Sequence, residues 1–148
     1  MPKLLWVIAC QRAIISQQNT VTLVDVLEEI QTQAPPREML EEGKPQVLLP
    51  LRFAIVGLWE RTSDDDPGLI DGRLKLISPA GKQFGHAEFQ INLALTPRFR
   101  STVDAGGLPY MGFGTYTMKL EFKHGNRWRT AGTTRIELKE LASPPQTH

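Results

Sequence analysis

Tyr116, Met118, Leu120 and Phe122 alternate with Thr117, Lys119 and Glu121. A period of two sends the bulky apolar side chains to one face of an extended chain and the polar ones to the other, the signature of a strand with one side in a core and one in water. The spacing recurs upstream. Phe89, Ile91, Leu93 and Leu95 face one way and Glu88, Gln90 and Asn92 the other, and Leu74 and Leu76 alternate with Arg73, Lys75 and Ile77. Turn residues separate these runs. In Ser78-Pro79-Ala80-Gly81-Lys82 the proline presets φ and the glycine accepts a positive φ. His124-Gly125-Asn126 reverses the chain before Trp128, and Ile136 and Leu138 end the apolar pattern. Short alternating strands between turns, with few helix signals, point to an all-β domain.

The first half is less regular. Leu4 to Cys10 is a continuous apolar run, expected to form a strand covered on both faces. Its flanks, Lys3 before and Ala9-Cys10 after, fit a lipoprotein signal in kind, but nine residues before the cysteine are too few for one. After a polar turn at Gln17-Gln18-Asn19, the segment Thr20 to Ile30 carries both helical spacing (Leu23, Leu27, Ile30) and β-branched residues (Val21, Val24, Val26). The β-branching and the adjacent turn favour a strand hairpinned to the first run. Ala34-Pro35-Pro36 ends it, and Met39 to Glu42 suggests a single helical turn. Val47 to Arg61 is the strongest strand signal, apolar in both registers. Pro50 has no N–H for a ladder and implies an edge, a bulge or a strand start there.

Seven to eight strands of this kind describe a single-domain antiparallel β-sandwich over residues 1–142, of immunoglobulin-like or related topology, with residues 143–148 as a C-terminal tail. A closed barrel is the rival arrangement. Three stretches carry a resemblance: the first run followed by Thr22 to Ile30, then Leu49-Pro50-Leu51-Arg52-Phe53, then Gly114-Thr115-Tyr116-Thr117-Met118-Lys119-Leu120. In this order they resemble a family of small, uncharacterised bacterial β-sandwich proteins. The last stretch also resembles the late strand of immunoglobulin-like sandwiches. The resemblance implies a sandwich in a bacterial cytoplasm and supplies no catalytic residue or ligand.

Several functional constellations can be weighed on the residues themselves. Cys10 and His86 are the conceivable thiol–imidazole pair, but Cys10 ends an apolar run, where a small buried hydrophobe is expected. The other two histidines are His124, in a turn, and His148, the last residue. Asp64, Asp65 and Asp66 are the best metal candidates. Three consecutive carboxylates lack the spacing that converges on one ion, so a solvated acidic loop is favoured and no metal is assigned. The glycine-rich stretch from Ala105 to Gly114 has no Gly-Lys-Ser/Thr and no following helix, so it is not a phosphate loop. Leu108, Tyr110, Met111 and Phe113 within it either fold over the core or form an exposed apolar patch, and they are the expected partner-binding residues.

Seventeen Lys and Arg against sixteen Asp and Glu leave a formal charge of +1, which argues against a nucleic-acid binder acting through bulk electrostatics. The balance conceals a gradient. Residues 1–66 carry six basic and ten acidic side chains, and residues 97–148 carry eight and four. Arg98, Arg100, Arg127, Arg129 and Arg135, with Trp128 among them, could bind a single strand by stacking and phosphate contacts. The competing reading is charge on the wet faces of strands, which also discourages aggregation through sheet edges. One cysteine excludes an internal disulfide and agrees with a reducing compartment. The expectation is a cytoplasmic, non-enzymatic module working through protein contacts, with a partner protein or a second copy, without cofactor or membrane. A sandwich binding a metal or small ligand at the acidic loop is the alternative, and a single-stranded nucleic-acid binder the third reading.

Overall fold

The computed structural model describes residues 1–141; the expected tail at 143–148, with His148, lies outside them. Eleven strands carry the fold: β1 (Lys3–Ile15), β2 (Val21–Val26), β3 (Glu29–Thr32), β4 (Leu48–Leu49), β5 (Phe53–Glu60), β6 (Leu69–Ile77), β7 (Gln83–Asn92), β8 (Arg98–Ala105), β9 (Leu108–Pro109), β10 (Gly114–His124) and β11 (Arg127–Glu140). The single 3-10 turn among the described residues, Arg37–Leu40, begins two residues before the helical turn expected at Met39 to Glu42 and overlaps it at Met39 and Leu40. One sheet runs β2-β1-β5-β8 and the other β3-β11-β10-β6-β7, with β4 and β9 as a separate pair. The chain is all-β, and its two large sheets face each other across one core in a sandwich-like or half-barrel arrangement.

Two expectations are corrected. Eleven strands replace seven to eight, because Pro50 splits the Val47–Arg61 segment into β4 and β5, Thr20–Ile30 breaks into β2 and β3, and the glycine-rich stretch contributes β9. Proline has no N–H for the ladder, so β5 begins only at Phe53. The sheets are also not wholly antiparallel, since β3 pairs with β11 in parallel, Ile30 opposite Leu138.

The core forms where the inward registers meet. Trp59 of β5, fully buried, reaches across to the facing sheet, edge-on to Phe122 of β10 at 6.3 Å and tilted against Phe89 of β7 at 6.4 Å. Its indole N–H donates to the Ser101 hydroxyl at 2.9 Å, so the one polar atom of the ring is satisfied inside. Gly57 is paired with Ser101, and a Cβ there would sit 2.8 Å from Leu120 Cδ1 of the facing sheet, so a side chain at this position would make Leu120 shift.

The double apolar register of β5 has a structural cause. Its second face, Ala54 and Val56 with Cys10, forms a smaller buried cluster roofed by Trp6, Ala13 and Leu23. Ala13 and Leu23 are paired in the β1–β2 hairpin, which therefore folds over the outside of its own sheet. A bulge between Leu4 and Trp6 switches the facing of β1, so that Leu4 packs in the main core and Trp6 in the roof. Asp25 adopts φ 52 within β2, a left-handed kink that lets the hairpin bend. The expected β1–β2 hairpin is present, and the first run is covered on both faces only in part, with Ala9 and Cys10 buried and Leu4 to Ile8 half-buried. Among the described residues no helix is long and apolar enough to cross a membrane.

Candidate functional site

The glycine-rich stretch takes one of the two arrangements open to it, folding back over the end of the core. Leu108 is fully buried, and Tyr110, Met111 and Phe113 are half-buried against the main core. Tyr110 and Phe113 stack edge to face at 5.4 Å. The stretch is fastened by Tyr116, whose hydroxyl accepts from the Met111 N–H at 2.8 Å and donates to the Gly112 carbonyl at 2.7 Å. Of the four expected partner-binding residues, Leu108 offers no surface, and Tyr110, Met111 and Phe113 offer part of theirs.

What this stretch does present is a platform. Leu48 and Leu49 of β4 pair with Pro109 and Leu108 of β9, the Tyr110 N–H donates to the Val47 carbonyl at 2.9 Å, and the Gln46 amide donates to the Tyr110 carbonyl at 2.8 Å. These bonds hold the 45–49 segment against the loop, with Leu49 turned into the core and Leu48 turned outward. Leu48 is 60% exposed and Met39 50%. Glu38, Met39, Lys44, Pro45, Gln46, Val47 and Leu48 line a groove of about 390 Å³. Glu38 and Lys44 are its charged lining residues, and Arg37, Glu41 and Glu42, close to them in sequence, are exposed. Sequence reasoning missed this surface because Leu48 sits in an apolar run that reads as core. The signal that separates it is Pro50, which detaches β4 from β5.

The acidic loop is occupied by the protein's own cations. Asp66 is buried, its Oδ1 accepting from the Met1 ammonium, and its Oδ2 from the Thr62 N–H, the Ser63 N–H and the Thr62 hydroxyl at 3.0–3.1 Å. The Arg61 guanidinium donates to the carbonyls of Ser63, Asp64, Asp66 and Leu93 at 2.7–3.2 Å, drawing the loop around itself. Asp64 and Asp65 stay exposed. Among the described residues, no three His, Cys, Asp or Glu side chains converge on a point that could hold a metal ion. The bond from the terminal ammonium lowers Asp66 from 3.8 to about 2, with burial opposing and Thr62 assisting. A carboxyl lowered by folding stabilises the fold above its unfolded value and loses that contribution as pH falls through the folded value. Asp66→Asn is expected to lower stability by about 1 kcal/mol at neutral pH. Chemical denaturation across pH should show the gap from wild type closing between pH 3.8 and about 2. A gap that persists undiminished at the acid end would place the effect elsewhere.

The remaining expected residues are dispersed. Cys10 is fully buried on the four-stranded sheet, while His86 is exposed on β7 of the other. Burial, and secondarily Asp104, push the Cys10 thiol above its ordinary value, opposite to what a nucleophile needs. Arg98 and Arg100 lie on β8, whereas Arg127, Arg129 and Arg135 lie on β11, so the arginines divide between the two sheets. Trp128 carries Arg73 over its ring at 4.0 Å. Arg73 and Lys75 both pair with buried Glu121, at 2.9 and 3.3 Å, a network on the outside of the five-stranded sheet. Burial would raise Glu121, and the two cations override it, leaving its carboxyl below the ordinary value.

No family model and no curated protein matches this chain, so the resemblance to small bacterial sandwich proteins rests on the three quoted stretches alone.

Proposed function

We propose that this protein is a non-enzymatic interaction module of immunoglobulin-like kind, which receives an apolar, base-flanked segment of another protein in the groove between Met39 and Leu48. The observation that carries the reading is the pairing of an immobilised backbone with outward apolar side chains. Leu48 is held in place by β9 and remains 60% exposed. Exposed apolar surface on a fixed scaffold suits association, because little ordering entropy remains to be lost on binding. Glu38 in the groove lining, with exposed Glu41 and Glu42 next along the chain, favours a partner carrying positive charge beside its apolar residues.

The strand order supports the immunoglobulin-like part of the reading. β1, β5 and β8 take the places of strands A, B and E, and β6, β10 and β11 those of C, F and G, with β7 beside C as in variable-type domains. The Tyr116 hydroxyl bonds the backbone a few residues upstream near the start of β10, as a tyrosine corner does on strand F. Among the described residues no strand stands at the D position, and Trp59 lies on β5 rather than on the strand equivalent to C. A lone buried cysteine suits the cytoplasmic setting that belongs to the same reading.

The test compares tagged wild-type chain with Met39→Asp/Leu48→Asp, using cross-linking with mass spectrometry and sedimentation of the purified protein. The expected result is one stoichiometric partner, cross-linked through residues 37–48 and lost in the double variant at unchanged Tm. Capture that survives the double substitution, the lack of any partner, or a homodimer abolished by it would each overturn the proposal, the last by making the occupant a second copy.

A further inference from the structure

Away from that groove, the hairpin that roofs the four-stranded sheet leaves a hollow where its turn meets β8. Ile15, Asn19, Leu58, Thr96, Arg98, Phe99 and Arg100 line a cavity of about 460 Å³. Arg98 and Arg100, two residues apart on β8 opposite Glu60 and Leu58, share the outer face of the sheet. Asn19 stands at φ 60 in the turn and receives Arg100 through both of its oxygens, Nη1 to Oδ1 at 3.2 Å and Nη2 to the carbonyl at 3.1 Å. The Nε of Arg100 is buried without a hydrogen-bond partner. Among the described residues Arg100 forms no ion pair, and Arg98 reaches only Glu60, at 3.4 Å, from a side chain 60% exposed.

We propose that this hollow binds a small organic carboxylate, its head held by Arg100 and Arg98 and its apolar body against Ile15 and Leu58. A half-buried guanidinium without a counter-charge is costly, and a carboxylate supplies both the missing charge and acceptors for planar N–H groups. The apolar walls decide the ligand class, because they reward a hydrocarbon body that inorganic anions lack. The volume falls in the range of small-ligand sites, about 300–1,000 Å³. Asn19 acts here as a positioning residue, holding the Arg100 fork in place through neutral oxygens and leaving its charge for the ligand.

Titration calorimetry on the full chain, with benzoate and separately with inorganic phosphate, tests the proposal. Benzoate is expected to bind saturably at one site, about tenfold more tightly than phosphate, and about tenfold more weakly in Arg100→Gln. Arg98→Gln, at an exposed side chain that does not threaten folding, is expected to weaken benzoate several-fold. If Arg100→Gln fails to fold, Arg98→Gln alone decides. No saturable heat with benzoate, phosphate binding as tight as benzoate, or undiminished binding in Arg98→Gln would each overturn the inference.

Discussion

Replacing Trp59 by alanine is expected to cost about 4 kcal/mol, a fall in Tm of roughly 12 °C for a chain of this size. The indole is the largest fully buried side chain and touches aromatic rings on two strands of the opposite sheet. Truncation would open a cavity between the sheets, which the paired backbones on either side cannot close. Trp59→Phe separates the contributions. It keeps much of the ring packing and loses the bond to Ser101, so about 1 kcal/mol of its loss belongs to the hydrogen bond. Thermal melts of both variants check this. An alanine variant that melts within a few degrees of wild type would show that the sheets are held together elsewhere.

The second expected result concerns the tie on the glycine-rich stretch. Tyr116→Phe removes one oxygen that both accepts from Met111 and donates to Gly112. Two backbone groups are left without partners in a part-buried place, which should cost about 2 kcal/mol. The consequence extends beyond stability, because Tyr110 is bonded to Val47 and Gln46, which shape the groove. Amide exchange should therefore quicken at Met111 and at Tyr110 together. Quickening at Met111 with Tyr110 unaffected would show that the groove does not depend on the tie.

How much of this was legible in the residues differs by region. β10 could be read because Tyr116 to Phe122 alternates cleanly between apolar and polar residues, although the polar face is partly covered and Glu121 is buried there. The β1–β2 hairpin could be read from Gln17-Gln18-Asn19 between apolar runs. The parallel pairing of β3 with β11 could not, since nothing in Glu29–Thr32 names a partner more than one hundred residues away. Asp66 looks no different in sequence from Asp64 and Asp65, and its burial follows from donors gathered by folding, with Thr62 and Ser63 upstream as the faint local sign of a side-chain-capped turn. The groove and the hollow share this difficulty. Leu48 is exposed by what β4 pairs with, and Arg100 meets Asn19 only because a hairpin bends back over its own sheet.

That parallel pairing also bears on how the molecule comes into being. β3 leaves a ribosome more than one hundred residues before its partner, so the edge formed by β3 stays open until β11 follows. The other neighbours of β11 are no help until the β10–β11 hairpin exists, and loop closure over so long a stretch of chain is slow. Until then the apolar side of Glu29–Thr32 has no seat, and the nascent chain carries an unpaired strand edge of the kind that invites mispairing between molecules. Completion of the five-stranded sheet therefore waits on the arrival of β11.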